Sequence, residues 1–113
     1  MAGLRYAVRL TAGAERDLEV IYDYLAAHRS AEDAAALLDA ILEKVGALEN
    51  YPERGAVPKE LAALGIGDFR QILHRHYRLI YRVIDREVFI LLVADGRRDM
   101  QALLERRLLA DEG

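Results

Sequence analysis

Side chains that could carry out chemistry are concentrated near the middle of the C-terminal half. His76, Tyr77 and Arg78 are consecutive, and Arg98 follows after one further predicted strand. A histidine or a phenol can move a proton and an arginine can stabilise a phosphate, so these residue types are the ones that RNA cleavage needs. The alternative is a solvated sheet face whose arginines form ion pairs with neighbouring acids, namely Asp68, Asp85 and Asp99. Residue types alone favour this second interpretation.

Other reaction chemistries find little support. The chain has no cysteine, which excludes disulfides and thiolate zinc sites. Ser30 and Thr11, its only serine and threonine, stand at predicted helix starts, where capping explains them. His74 and His76 are spaced like a metal pair, but no third ligand follows at a suitable spacing. We therefore predict no metal site. No glycine-rich phosphate loop precedes a helix, so we predict no cofactor either.

Composition and charge set broader limits. The chain has 113 residues, of which 53% are hydrophobic, and we predict one domain over residues 1–113. Its 16 basic and 19 acidic residues give a net charge of −3, which argues against direct nucleic-acid binding by the chain alone. The longest apolar run, Val88 to Ala94, is too short to cross a membrane. The N-terminus lacks the pattern of a signal peptide, so we expect a cytoplasmic location.

The N-terminal half is predicted to form a strand and two helices. Apolar residues alternate from Leu4 to Leu10, as in a strand with one buried face. Thr11 is placed to cap a helix that continues to about His28, and Ser30 to cap a second helix. We expect Pro52 to end that second helix, because the residue before a proline avoids helical angles. The short link between the helices predicts an antiparallel hairpin.

The C-terminal half is predicted to be mainly a sheet. An irregular stretch with one helical turn at Lys59 to Leu64 leads to three strands, and a helix ends the chain. The predicted strands are Asp68 to His74, Tyr77 to Ile84 and Glu87 to Ala94, and the predicted helix runs from Arg97 to Leu109. The order β-α-α-β-β-β-α indicates an α+β fold with a four-stranded, twisted, mixed sheet, three of whose strands form an antiparallel part. One face of this sheet packs under the helical hairpin. The other face, which carries Ile80 and Ile84, is predicted to meet solvent or a partner.

Three segments of the chain together resemble the RelE/ParE superfamily of bacterial toxins. They are AERDLEVIYDYLA at 14–26, YPERGAVPKEL at 51–61 and DFRQILHRHYRLIYRVIDREVFILLVADGRRDM at 68–100. The resemblance implies the toxin of a type II toxin–antitoxin system of the plasmid stabilisation type, with a cognate antitoxin as partner. RelE-like members cleave mRNA in the ribosomal A site, whereas ParE-like members inhibit DNA gyrase. The shared fold does not decide between these two targets.

Individual positions favour the ParE branch. The resemblance to RelE-like nucleases assigns catalytic arginines to Arg78 and Arg98, with His76 and Tyr77 beside them. That branch also expects lysines where this chain has Phe69 and Gln71, and a tyrosine where it has Leu104. Losing two cations and a phenol removes much of the stabilisation that RNA cleavage requires. We therefore predict a gyrase inhibitor, with a ribosome-dependent ribonuclease or an inactive member of the fold as the alternatives.

The expected partners define two predicted surfaces. For the target, the resemblance and the cations beside an apolar stripe indicate the last turn and helix: Arg97, Arg98, Asp99, Met100, Arg106 and Arg107. For the antitoxin, surplus apolar residues indicate the helical hairpin and the sheet: Leu18, Tyr22, Leu25, Leu38, Ile80, Arg82 and Ile84. The same apolar surface could pair two toxin chains into a homodimer when the antitoxin is absent.

Overall fold

A computed structural model describes residues 5–109 of the chain. The elements, in order, are β1 (Ala7–Leu10), α1 (Ala12–His28), α2 (Ala31–Gly46), a 3₁₀ turn (Ala47–Glu49), α3 (Lys59–Ala62), β2 (Arg70–His74), β3 (Tyr77–Ile84), β4 (Glu87–Asp95), α4 (Met100–Leu104) and a π-helical segment (Glu105–Leu109). The predicted strand start at Leu4 lies outside the described residues. No helix within residues 5–109 is long and apolar enough to cross a membrane.

Both predicted helix caps are present. The Thr11 hydroxyl accepts a hydrogen bond from the Ala14 amide at 3.2 Å, and the Ser30 hydroxyl accepts one from the Asp33 amide at 2.9 Å. The predicted end of the second helix at Pro52 is wrong, because α2 already ends at Gly46 and tightens into the 3₁₀ turn. This turn buries Leu48 completely and lets the Glu49 carbonyl accept a 2.9 Å hydrogen bond from the Tyr6 amide, just before β1.

The sheet is mixed, with the strand order β1-β4-β3-β2. β1 runs parallel to β4, whereas β2, β3 and β4 form two antiparallel pairs. Two-residue turns at 75–76 and 85–86 join the antiparallel strands, and the first residue of each turn, Arg75 or Asp85, has a φ of 56°. These turns match the predicted connections. The predicted α+β class and sheet are therefore confirmed.

The main core lies between the sheet and the helical hairpin. Alternate residues of β3 and β4 face the hairpin, and the buried residues of this core include Leu18, Ile41, Val45, Leu79, Tyr81, Val88 and Ile90. The Tyr81 hydroxyl, at the bottom of this core, accepts a hydrogen bond from the Gly55 amide at 2.9 Å. That bond ties the irregular segment before β2 to the centre of the sheet.

The opposite face of the sheet is also covered, which corrects a prediction. α3 and α4 fold back over it and bury a second core that includes Leu61, Phe69, Ile80, Leu92, Leu103 and Leu104. Ile80 is 0% exposed, so the expectation of an open apolar face at this residue is wrong. Two apolar side chains at the margins of this face stay exposed, Leu73 by 52% and Ile84 by 45%. The strand pattern predicted which side chains share this face, but the return of the C-terminal helix determined what covers them.

β4 carries an irregularity that matters for the surface. Ile80 pairs with Leu92 and Tyr81 pairs with Ile90, so Leu91 has no partner residue on β3. On the other side, β1 ends at Leu10, opposite Ile90. The last five residues of β4, 91–95, therefore extend past the end of β1.

Candidate functional site

Arg78 is held by other side chains of the chain. Its guanidinium donates two hydrogen bonds of 2.8 Å to the Glu60 carboxylate and one of 2.7 Å to Gln71 Oε1. The side chains of Arg78 and Glu60 are only 11% and 12% exposed. Gly96 makes room for the arginine, since a Cβ there would lie 2.8 Å from Arg78 Cδ. The residues predicted to pair with arginines were Asp68, Asp85 and Asp99, but the acid that pairs with Arg78 is Glu60, in the irregular stretch.

The Arg78–Glu60 pair is fully charged at neutral pH. Hydrogen bonds from Arg78 lower the pKa of Glu60 from 4.5 to about 2, against the opposing effect of burial. A bidentate pair of this kind satisfies both the fork of the guanidinium and the two carboxylate oxygens. The pair consequently binds α3 to β3 and leaves Arg78 with little capacity to bind a phosphate.

The positions at which a nuclease would need cations and a phenol are structural here. Phe69 is buried in the second core, and the Arg82 guanidinium lies 5.6 Å from the centre of its ring. Gln71 is occupied with Arg78, as described above. Leu104 is completely buried. Phe69 and Leu104 pack in the second core, Gln71 binds Arg78, and none of the three contributes a charge.

The remaining nuclease candidates lie at the turns that follow β2 and β4. His76 Nε2 is 3.6 Å from Asp95 Oδ2, and the His76 and Tyr77 rings are 4.4 Å apart. Tyr77 is 9% exposed and faces the main core, and its burial raises the pKa of its phenol above the usual 10.0. Successive residues of a strand point to opposite faces, so Tyr77 and Arg78 project away from each other. The structure therefore separates residues that are adjacent in sequence.

Asp95 organises the turn after β4. Its carboxylate accepts two hydrogen bonds from the Arg97 side chain, at 3.0 and 2.7 Å, and one from the Arg97 amide. These bonds lower the pKa of Asp95 from 3.8 to about 2. Arg98 contributes its amide to the same turn through the Asp95 carbonyl, and its side chain is exposed. Arg98 is thus open to a partner, whereas Arg97 is bound to Asp95.

A groove of about 830 Å³ lies between α1 and the C-terminal segment. The end of β4, residues 93–95, lines it together with one side of α1 and arginines of the C-terminal segment. Val20 and Tyr24 on α1 are 61% and 60% exposed, and the Tyr24 ring stacks on His28 at 4.1 Å. The groove combines exposed apolar side chains with a cationic rim, which includes Arg16, Arg98 and Arg106.

An ion pair forms part of the wall of this groove. Arg107 donates to both Asp17 oxygens at 2.9 and 3.1 Å and to the Leu91 carbonyl at 3.1 Å. Asp17 also accepts a 2.9 Å bond from the Val93 amide. Gly13 makes the approach feasible, since a Cβ there would lie 2.8 Å from Arg107 Nη2. Sequence reasoning missed Asp17 and Gly13, because their partner is distant along the chain.

The predicted target surface divides into exposed and structural residues. Arg97, Arg98 and Arg106 are exposed. Asp99 is exposed as well and caps α4 by accepting from the Ala102 amide at 3.1 Å. The other two members are structural: Met100 is 4% exposed within the second core, and Arg107 belongs to the ion pair with α1.

The predicted antitoxin surface is also heterogeneous. Leu18 and Ile80 are buried, the hairpin side chains are partly buried, and two β3 residues are exposed. The partly buried ones are Tyr22, Leu25 and Leu38, and the exposed ones are Arg82 and Ile84. As for metals, residues 5–109 contain no group of three or more suitable ligating side chains, and His74 and His76 stand at a hairpin turn as predicted.

Comparison with known proteins identifies the family. The sequence profile of the ParE toxin of the type II toxin–antitoxin system parDE matches residues 8–100. No curated protein matches the chain. Among solved structures, a chain of the chromosomal ParDE system of P. aeruginosa is similar, with a TM-score of 0.68, 25% identity, and coverage of 80% of this chain and 96% of that one. A chain of the RelBE2 toxin–antitoxin complex of Mycobacterium tuberculosis is similar with a TM-score of 0.56 and 25% identity, covering 84% and 97%. The chain therefore belongs to the ParE toxin family of type II toxin–antitoxin systems.

Proposed function

We propose that this toxin acts on DNA gyrase rather than on mRNA, and that a cognate antitoxin neutralises it. The observation that carries the choice of target is the bidentate pair between Arg78 and Glu60. A nuclease of this fold would need that arginine for the phosphate of the RNA. In this chain Glu60 occupies both prongs of the guanidinium, and Gln71 accepts from its third nitrogen.

The energetics of the pair support this proposal. To bind Arg78, a phosphate would have to displace the Glu60 carboxylate, which is bonded at 2.8 Å in a largely buried position. Glu60 would then be left without its cation. Breaking one side of such a pair costs several kcal/mol, about as much as one oxyanion-stabilising contact supplies. Tyr77, with its pKa raised by burial, is a poor proton acceptor at neutral pH. No compensating lysine is available at Phe69 or Gln71.

The antitoxin partnership has separate support. The two solved structures described above come from toxin–antitoxin systems, one ParDE and one RelBE2. Within residues 5–109, large apolar side chains are also exposed on both sides of the sheet, among them Val20, Tyr24, Leu73 and Ile84. An antitoxin that covered such dispersed sites would have to wrap around the toxin, so we expect it to bury more than roughly 2,000 Å² in total.

The target is tested with two purified assays run side by side. In a gyrase supercoiling assay without ribosomes, the toxin should inhibit supercoiling or trap cleaved DNA. In a translation extract, primer extension on an mRNA should show no new cleavage. Cleavage of mRNA together with unimpaired gyrase would contradict the proposal, and inactivity in both assays would identify the third alternative, a toxin fold without activity.

Variants at two arginines add a control. If the toxin were a nuclease, Arg98→Ala would reduce the cleavage rate roughly a hundredfold by removing a phosphate contact. The double variant Arg78→Met, Glu60→Met replaces the ion pair with apolar side chains of similar length and leaves no unpaired charge. A gyrase inhibitor should keep its activity in this double variant, provided that circular dichroism shows a wild-type fold.

For the antitoxin, co-expression with the adjacent reading frame should give a co-purifying complex, and its absence would reject the partnership.

A further inference from the structure

The end of β4 is a sheet edge inside the groove. β1 accompanies β4 only as far as Ile90, and at Thr11 the chain turns away into α1. Thr11 closes the pairing, since its amide and hydroxyl both donate to the Ile90 carbonyl, at 3.0 and 2.9 Å. Beyond this point β4 keeps β3 on one side from Leu92 onward, and residues 93–95 line the groove.

Two side chains take the place of a neighbouring strand at the start of this edge. Arg107 donates to the Leu91 carbonyl, and Asp17 accepts from the Val93 amide. The Val93 amide therefore points away from β3. Because a strand alternates the direction of its backbone groups, the Val93 carbonyl and the Asp95 amide point the same way. Across residues 5–109, the hydrogen bonds of the structure give neither of these two groups a protein partner.

The charges around the edge favour an acidic occupant. The groove contains two carboxylates, Asp17 and Asp95, and each is neutralised by its own arginine. The side chains of Arg16, Arg98 and Arg106 have no ion-pair partner within the part of the chain that the structure describes. The groove is therefore a cationic site on a protein whose net charge is −3.

We propose that the β4 edge at Val93–Asp95 is a strand-addition site for an extended, acidic segment of the antitoxin. This inference rests on the proposed neutralisation by an antitoxin. The segment would accept a hydrogen bond from the Asp95 amide and donate one to the Val93 carbonyl. Its carboxylates would face the free arginines, and an apolar side chain would pack on Val20 and Tyr24.

A peptide fits this site better than a nucleic acid does. An adjacent backbone donor and acceptor match the spacing of another strand, whereas a phosphate backbone offers acceptors only. The apolar wall at Val20 and Tyr24 gives a phosphate nothing to bind. The acidic charge of the whole chain also opposes the approach of a polyanion.

Hydrogen exchange of single amides tests the backbone part of the proposal. The probe is the purified product of the reading frame adjacent to this gene, added to the full-length toxin labelled with ¹⁵N. The Asp95 amide should exchange at least roughly tenfold more slowly in the complex, as expected for a newly formed strand hydrogen bond. The Val8 amide is the matched control, because it points out of the sheet on the free side of β1 and should keep its exchange rate.

Charge reversal tests the recognition of acidic residues. The double variant Arg16→Glu, Arg106→Glu should weaken binding of the same probe roughly 10- to 100-fold and abolish most of its salt dependence. The control Arg54→Glu, Arg86→Glu reverses two exposed arginines outside the groove and should change the affinity less than about twofold. Thermal unfolding of each variant checks the fold. The salt dependence of binding by the wild-type toxin reports on charge recognition without any substitution.

The outcomes separate this inference from the proposed function. If a complex forms but the Asp95 amide is not protected, the strand-addition site is wrong and the antitoxin partnership stands. If no complex forms, the partnership fails and the site fails with it. If the groove variant loses gyrase inhibition but binds the antitoxin normally, the groove serves the target, and the inference is overturned.

Discussion

Arginines in two regions of this toxin, one beside α3 and one beside α1, have different surroundings. Beneath α3 and α4, Arg78 is 11% exposed and bonded to Glu60 and Gln71. Beside α1, Arg98 and Arg106 are exposed at the rim of a groove and have no acidic partner among residues 5–109. The first region has its charges paired within the fold, whereas the second has charges available to a partner.

The difference shows that the type of a residue does not indicate its role. An arginine that loses its water on folding must find an acid nearby, since an unpaired buried charge is costly. An arginine at a rim keeps its hydration and gains little from surface pairs. A resemblance in sequence assigns Arg78 and Arg98 the same chemistry, but the structure places them in different surroundings, Arg78 paired with Glu60 and Arg98 exposed.

The largest expected effect on stability comes from breaking the Arg78–Glu60 pair. Arg78→Ala leaves the Glu60 carboxylate without its cation, so the free energy of unfolding should fall by about 3 to 4 kcal/mol. Arg98→Ala, the matched variant in the open region, should change it by less than about 0.5 kcal/mol. Urea unfolding followed by circular dichroism measures both. Equal losses in the two variants would remove the distinction between the regions.

The second largest effect is expected from acid, which protonates Glu60 and breaks its pair with Arg78. Glu60 has a pKa of about 2 when folded and 4.5 as a free group, so the unfolded chain binds its proton first. The stability from this pair is therefore complete above pH 4.5 and is lost as the pH falls from 4.5 towards 2, up to about 3 kcal/mol. Unfolding free energies between pH 7 and pH 2 measure the effect. Glu60→Gln should flatten the profile in this range, and an unchanged slope would contradict the assignment.

Two helical glycines sharpen the comparison at the groove. Gly46→Ala meets nothing within 4 Å and should stabilise the protein by about 0.5 to 1 kcal/mol through helix propensity. Gly13→Ala gains the same propensity but pushes against Arg107 Nη2 at 2.8 Å. We expect a net destabilisation of about 1 kcal/mol for Gly13→Ala, from strain on the Arg107–Asp17 pair. Thermal unfolding of the two variants decides, and the same stabilisation in both would show that Arg107 adjusts freely.

The smallest effect is expected at the exposed pair of Asp95 and Arg97. The Arg97 side chain is 73% exposed, so its bond to Asp95 is screened by solvent despite its 2.7 Å length. Asp95→Asn should lower the free energy of unfolding by no more than about 1 kcal/mol. Because salt screens exposed charges, this loss should be smaller at about 1 M salt than at about 0.1 M. Paired unfolding curves at the two salt concentrations give the measurement. A loss that does not depend on salt would show that the Asp95–Arg97 pair is shielded from solvent like the Arg78–Glu60 pair.

Local features of the fold were predictable from sequence because neighbouring residues determine them. Thr11 and Ser30 cap the helices as predicted, since a hydroxyl three residues before a helical amide can reach it in any fold. The β3 strand has the predicted bounds, because alternation of apolar residues fixes its faces. Of the candidate site, the exposed arginines of the last turn were likewise predictable. The end of α2 was not, because burial of Leu48 and a hydrogen bond from the Tyr6 amide to the Glu49 carbonyl decided it.

The sequence by itself determined the order and type of the elements, the caps and turns, and the membership of the toxin superfamily that its motifs indicate. Only the tertiary structure decided which arginines remain available to a partner. The bonds of Arg78 to Glu60 and of Arg107 to Asp17 join residues that are 18 and 90 positions apart. The burial of Ile80 depends on a helix that follows it and folds back over the sheet. Such contacts depend on packing between distant segments, and no local pattern of residues encodes them.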